Sequence, residues 1–359
     1  MSSALARLHP ALVWRWNRTR TVLALLALLL PVMLVLALAS GPVSVPTVQI
    51  VQSLLHAISV SEIHGQQDWI VRELRLPRAL LAMLVGAGLA VAGAITQGVF
   101  RNPLADPGLI GVSSGAALAA VAVIVLQGSL LAGYAELTGV FALPLAAFAG
   151  GLIVTWLIYR LGTRQGQTQM AMLLLAGVAI NVIAGALTGI LTYMADDEQL
   201  RSMTFWSMGS LAYGQWSEIA VLALCIALPL LALPRFAALL NALLMGEAVA
   251  SHLGFAVQRG KRWLIIAAAM MVGAGVAVAG MIGFIGLVVP HLLRLLMGPD
   301  HKALLPGCAL LGASLLLLAD TIARTWLAPA DLPVGLVMAV IGGPVFLSLL
   351  LQQARRVMA

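Results

Sequence analysis

The sequence predicts an all-α integral membrane protein of about ten transmembrane helices, and three observations predict it. Of 359 residues, 62% are hydrophobic and 9% charged, with a mean hydropathy of +1.04, where a soluble domain carries about a quarter charged residues. A spanning helix needs about 20 apolar residues, and that ruler finds about ten runs. The basic residues fall on alternate turns between those runs, as a multi-pass protein requires. The net charge of +7 therefore belongs to topology and is not a nucleic-acid footprint.

The runs lie near 21–39, 79–99, 108–127, 141–160, 170–193, 216–234, 263–281, 285–297, 303–322 and 334–352. The first follows Arg7, Arg15, Arg18 and Arg20 and lacks a small-residue cleavage site, which suits a retained anchor better than a signal peptide. In the second, Ala82, Gly86, Ala90 and Ala94 form a stripe that lets helices approach closely, and Ala269, Gly273 and Ala277 repeat it in the seventh. Packing inside one subunit is the plainer reading of both. Between the second and third runs stands RNPLADPG, Arg101 to Gly108. Asn102 and Asp106 each precede a proline, so the backbone cannot continue as helix. Stiff irregular backbone at membrane depth marks a gate or a path.

The fifth run places Gly177, Asn181, Thr188 and Thr192 near one face of an apolar helix. An Asn at bilayer depth needs a partner, and both an interhelical hydrogen bond and a wet pathway satisfy that. A polar segment, 235–262, separates the sixth and seventh runs and holds GEAVASHLGF, a short helix bracketed by Gly246 and Gly254. Such a helix fits a groove on a partner, or simply lies on the surface. The eighth run is short, with Pro290 and His291 inside it. No soluble domain interrupts the chain, so 1–359 reads as a single transmembrane domain with 235–262 on one face.

All of the 20 Lys and Arg residues except Arg72, Arg75, Arg78, Arg201 and Arg324 share a side with the N-terminus, and most acids lie opposite. The positive-inside rule then puts both termini in the cytoplasm. Groups that could couple the chain to an energy source are few. The only acid well inside a span is Asp320, thin for a proton relay. A phosphate-binding loop would need a glycine where Phe255 stands before Gly260-Lys261, and Arg262 replaces the hydroxyl residue. If ATP drives this protein, another subunit binds it. Cys225 and Cys308 lie in apolar runs as small hydrophobes, and the six histidines are scattered without metal-ligand spacing. Besides an ATP-driven transporter, two readings stand: a secondary transporter working alone, and, weakly, a membrane-embedded enzyme.

RLPR (Arg75 to Arg78), GAITQGVFRNPLADPGLIG (Gly93 to Gly111), FWSMGSL (Phe205 to Leu211), GE-A-A--LG (Gly246 to Gly254), GFIGLVVPHLLR (Gly283 to Arg294), LPGCALLGASLLLLADTIAR (Leu305 to Arg324) and LPVGLVMAVIGGPVFLSLLL (Leu332 to Leu351) together resemble the FecCD family. These are permease subunits of binding-protein-dependent ABC importers for iron-siderophores, haem and cobalamin, with the type II importer fold. The resemblance runs from about Arg72 to the C-terminus.

It implies a homodimer in the lipid bilayer of a bacterial inner membrane, two cytoplasmic ATPase subunits that bind ATP and Mg, and a periplasmic substrate-binding protein. No cofactor is expected in this chain. It implies docking of the binding protein by Arg75, Arg78 and Arg324, whose guanidinium forks suit carboxylates. It implies ATPase coupling through Gly246, Glu247, Ala248, Ala250, Leu253 and Gly254. It implies a cytoplasmic gate at Asn102, Pro103 and Leu104 and a translocation pathway past Gly177, Asn181 and Thr188. His291 reads as a structural polar group rather than a haem ligand, and His56 and His64 as loop residues. Haem or another iron chelate is the expected cargo, with cobalamin the alternative.

Overall fold

The computed structural model describes residues 10–358 except 60, 61, 64, 213 and 329, and leaves the side chains of 10–16, 58, 349, 350 and 352–358 undescribed. His64 lies outside the described residues. Seven helices are long and apolar enough to cross a bilayer, and three shorter apolar helices accompany them, in register with the ten runs of the sequence.

Helix α1 (Pro10–Ala39) is followed by α2 (Thr47–Ile58), then α3 (Gly65–Trp69), a π-helical turn Ile70–Arg75, and α4 (Leu76–Phe100). The last three form one continuous helix, Gly65–Phe100. The sequence places RLPR ahead of the second span, whereas the structure carries helix through it. Pro77 sits at the start of α4, where its missing N–H costs little. The segment 41–68, expected as loop, is largely helical; His56 lies 3.9 Å from the buried carboxylate of Asp68.

A 3-10 turn, Pro107–Ile110, leads into α5 (Val112–Leu126); α6 (Ala132–Thr138) and α7 (Ala142–Leu161) follow. A two-stranded hairpin, β1 (Thr163–Arg164) and β2 (Gln167–Thr168), pairs antiparallel with Thr163 opposite Thr168. Next come α8 (Met170–Met194), α9 (Asp197–Met208) and α10 (Trp216–Leu244). An Asp196–Gln199 capping box starts α9. Helix α10 runs ten residues beyond the expected end at 234, through Pro229 and Pro234. Its extension buries Ala237, Leu239, Leu240, Ala242 and Leu243, and that burial holds it helical. The chain ends with α11 (Glu247–His252), α12 (Val257–Ala279), α13 (Ile285–Met297), α14 (His301–Trp326) and α15 (Val334–Met358). Because α12 starts at Val257, the segment 235–262 is two helix extensions joined by Met245 to Ala256.

Helix α4 is the axis of the bundle, with most of its residues buried, and α10, α12, α13 and α14 surround it. Helices α5, α7 and α8 form a second group, joined to the first through α12. The small-residue stripe does the joining inside the chain. A Cβ on Gly86 would lie 2.3 Å from the Gly312 carbonyl oxygen, and one on Gly93 2.0 Å from that of Gly286. Backbone therefore meets backbone where α4 crosses α14 and α13. Helix α8 is the contrast: Leu175, Val178, Val182 and Ile190 are each more than half exposed.

Candidate functional site

At the end of the bundle that carries most of the basic residues, α10 stops at Leu244 and the chain turns at Gly246, with φ +112, a conformation that favours glycine. Helix α11 follows. Ala250 is fully buried and anchors it, while Val249 is 40% and Leu253 58% exposed. Ala248, Ser251, His252 and Gly254 are exposed as well. Of the six residues expected to meet an ATPase, Ala248, Leu253 and Gly254 thus lie open and Gly246 and Glu247 are half-buried, whereas Ala250 points into the protein.

Glu247 faces inward. Its carboxylate takes two hydrogen bonds from Lys261 Nζ, at 2.9 and 3.0 Å, and Lys261 is fully buried. The same ammonium donates to the Thr168 carbonyl at 2.9 Å. Sequence reasoning had set Gly260-Lys261 aside as a failed phosphate loop and missed this role. The signal was a lysine one turn into an apolar helix, a position that demands a carboxylate.

Beside α11 lies the stiff loop. Arg101 adopts φ 52 at the end of α4, and its guanidinium lies 3.7 Å from where a Gly246 Cβ would stand. Asn102 Oδ1 accepts from the Leu104 N–H at 3.0 Å, and Asp106 Oδ1 from the Gly108 N–H at 2.7 Å. Asn102 and Leu104 are exposed and Pro103 partly so. From there the loop turns inward, since the Pro107 ring lies about 3.2 Å from where a Gly286 Cβ would stand. A cavity of about 190 Å³ opens against it, lined by Asp106, Ser113, Leu89, Val272, Phe284 and Gly286 among others. Burial raises the Asp106 carboxyl above the ordinary carboxylate range, against the lowering effect of the Gly108 N–H.

Below the loop, Gln97 donates to the Gly286 carbonyl at 3.0 Å and accepts from Arg294. Asn241 Oδ1 accepts from the His301 N–H at 2.8 Å and meets His301 Nδ1 at 2.9 Å, while its amide donates to Asp300 at 2.6 Å. His291 is half-buried. Among the described residues no group of three or more His, Cys, Asp and Glu could hold a metal.

The three expected pathway residues have different surroundings. Gly177 is packed against the Leu109 carbonyl, 2.3 Å from where its Cβ would be. Asn181 Oδ1 accepts from Ser114 Oγ at 2.6 Å, joining α8 to α5. Thr188 Oγ1 donates to the Ala184 carbonyl of its own helix at 2.8 Å.

The opposite end gathers the arginines. Arg75 donates to Leu38 O at 2.6 Å, to Ala39 O at 3.2 Å and to Val43 O, and Arg324 donates to Ala37 O. Both are buried and bind the carbonyls left open where α1 ends. Arg78 pairs with Asp320 at 2.9 Å and with Asp331 at 2.7 Å. Its side chain is 13% exposed and that of Asp331 42%. Asp320 is 1% exposed and committed to Arg78 and Arg324, so it is a structural counter-ion.

A helical membrane bundle with a short surface helix at one end, an irregular loop turning inward beside it and arginines gathered at the other defines a transport permease. The FecCD transport family matches residues 28–352, and the chain belongs to it. It is 52% identical over 284 residues to the hemin transport system permease protein HmuU of Yersinia pestis, covering 78% of this chain and 82% of the relative. It is 44% identical over 299 residues to the vitamin B12 import system permease protein BtuC of Salmonella paratyphi A, covering 80% and 87%. A metal-chelate-type ABC transporter solved in an inward-facing conformation superposes with a TM-score of 0.80 at 33% identity, covering 93% of this chain and 99% of that one. This chain is accordingly a membrane permease subunit of the ABC-transporter type, with the type II permease fold.

Proposed function

We propose that this chain imports haem. The observation that carries the reading is the 52% identity to a hemin permease, against 44% to the vitamin B12 permeases. Two copies form the membrane core in the inner membrane with both termini in the cytoplasm, two ATPase subunits bind ATP and Mg on the α11 side, and a periplasmic binding protein delivers cargo at the arginine end. The charge bias of the connecting segments supports that orientation.

The mechanism is alternating access. The binding protein docks at the arginine end, where burial of Arg75 and Arg324 leaves Arg78 as the residue of the expected set that meets it. Arg78 leads because Asp331, its exposed partner, can be exchanged for a carboxylate of the docking protein. Arg75 and Arg324 meanwhile hold the end of α1. Cargo enters between the two copies along α8, past Asn181 and Thr188, with Gly177 setting how closely α8 approaches the loop. ATP binding moves α11 through its exposed Val249 and Leu253, and the Asn102-Pro103-Leu104 turn beside Gly246 opens or closes the inner end.

Reconstitution with the ATPase and binding protein tests the reading. ATP-dependent accumulation of haem in proteoliposomes is expected, with cobalamin unable to compete. Accumulation of cobalamin instead would reassign the cargo, and uptake by the isolated chain on an ion gradient would overturn the importer reading altogether.

A further inference from the structure

We infer that Lys261 is a positioning residue that ties α11 to the hairpin ahead of α8, so that movement of α11 is delivered to α8. This rests on the proposed role of α11 as the ATPase contact. A lysine ammonium has three protons to donate. Here the Glu247 carboxylate receives two hydrogen bonds and the Thr168 carbonyl one. Gln258, three residues earlier and on the same face of α12, repeats the connection. Its Oε1 accepts from the Thr168 N–H at 3.0 Å, and its amide faces Glu247 Oε2 at 3.4 Å. Two crossbars from α12 therefore join the same pair of elements, and both backbone polar groups of Thr168 are engaged.

Thr168 is two residues ahead of Met170, where α8 starts. The hairpin is held from behind as well: Thr163 and Thr168 hydroxyls meet at 3.2 Å, and the Tyr159 hydroxyl accepts from Thr168 Oγ1 and from Arg262. On its other side α11 joins α10 through Gly246 at φ +112. A fully buried ammonium is tolerated only while its partners stay in place. Pulling α11 away from the hairpin would strand Lys261, so α11, the first turns of α12 and the hairpin move together, and the turn at Gly246 absorbs the displacement. The helix so driven is α8, whose outward apolar face is largely exposed.

The test uses the complete complex of permease, ATPase and binding protein in proteoliposomes. Spin labels at the exposed Ser251 and Gln167, on α11 and the hairpin, should keep one separation in nucleotide-free and ATP-bound wild-type complexes. In Lys261→Met the separation should change between those states, and cargo imported per ATP hydrolysed should fall about tenfold while hydrolysis itself persists. A wild-type separation that shifts by more than about 2 Å, the scale of interface helix movements, overturns the inference, and this holds even where Lys261→Met does not fold. Unchanged coupling in a folded Lys261→Met complex overturns it too. Failure of the wild-type chain to bind an ATPase would instead remove the functional reading beneath it.

Discussion

Two residues show how narrowly single positions are constrained. Gly93 presents no side chain to Gly286, and the atoms a Cβ would meet there, at 2.0 to 2.5 Å, are all backbone. Nothing flexible can yield, so Gly93→Ala should destabilise the permease by about 3 kcal/mol, the upper part of the usual overpacking range. Thermal unfolding in detergent measures this. Gly185→Ala is the control: no described atom lies within 4 Å of its Cβ position, and the substitution should be neutral or stabilise by up to about 1 kcal/mol through helix propensity. Asp106 supplies a pH dependence. Its folded carboxyl titrates above the ordinary range because of burial, so the folded state holds the proton more tightly than the unfolded chain does. The stability it contributes is complete below the unfolded value and is lost as pH rises through the folded one. Asp106→Asn keeps an oxygen for the Gly108 N–H and has no proton to lose. The variant should match the wild type under acid conditions, where the carboxyl is protonated, and gain on it toward neutrality. A difference in unfolding temperature that does not change with pH would refute that sign.

At the scale of elements, α11 separates into two faces that substitution can tell apart. Leu253 is 58% exposed and Ala250 fully buried. Leu253→Asp should leave the isolated permease folded and weaken its association with the ATPase by about tenfold or more, as expected when an apolar anchor of an interface is lost. Ala250→Leu should disturb α11 itself, visible as faster proteolysis near Gly246 in the permease alone. Equal loss of ATPase binding with no change in proteolysis for both would show that the two faces are not distinct. The sequence made the existence of this helix legible through the glycines at 246 and 254, and its exposed face through Leu253. It left Lys261 unread, because the pairing with Glu247 spans 14 residues and the contact with Thr168 spans 93. Helix α13 was legible to the residue, since an apolar run between Gly283 and Gly298 has only one way to fit. The extent of α10 was not. The apolar run was expected to stop at 234, and burial of Leu239, Leu240 and Leu243 carries the helix further. The arginine end was half legible: the residues stood out against the charge bias, but their carbonyl partners at 37–43 belong to a different helix and the turn after it.

For the whole molecule, those arginines strengthen the topology they first seem to breach. The positive-inside rule counts charge that a connecting segment leaves available near the membrane. Arg75 and Arg324 are buried on the carbonyls of α1, Arg78 is neutralised by Asp320 and Asp331, and Arg72 lies 3.6 Å from Asp68. Arg201, stacked over the Phe205 ring at 5.8 Å, is the remaining exception. Four of the five arginines on the far side are thus held by carbonyls or carboxylates in place, so they do not count against the charge bias of the sequence, and the α11 end should face the cytoplasm. Single cysteines test this in a chain from which Cys225 and Cys308 have been replaced by alanine. Cys225 is half-buried and Cys308 buried, each within a helix, so the fold should tolerate the loss of one small side chain at each. Ser251→Cys in the exposed α11 and Ser129→Cys in the exposed turn between α5 and α6 then report the two faces. A membrane-impermeant maleimide added to intact spheroplasts should label the Ser129→Cys protein at once, and the Ser251→Cys protein only after permeabilisation. Labelling in the reverse order would invert the molecule, and would place α11 where no cytoplasmic ATPase could reach it.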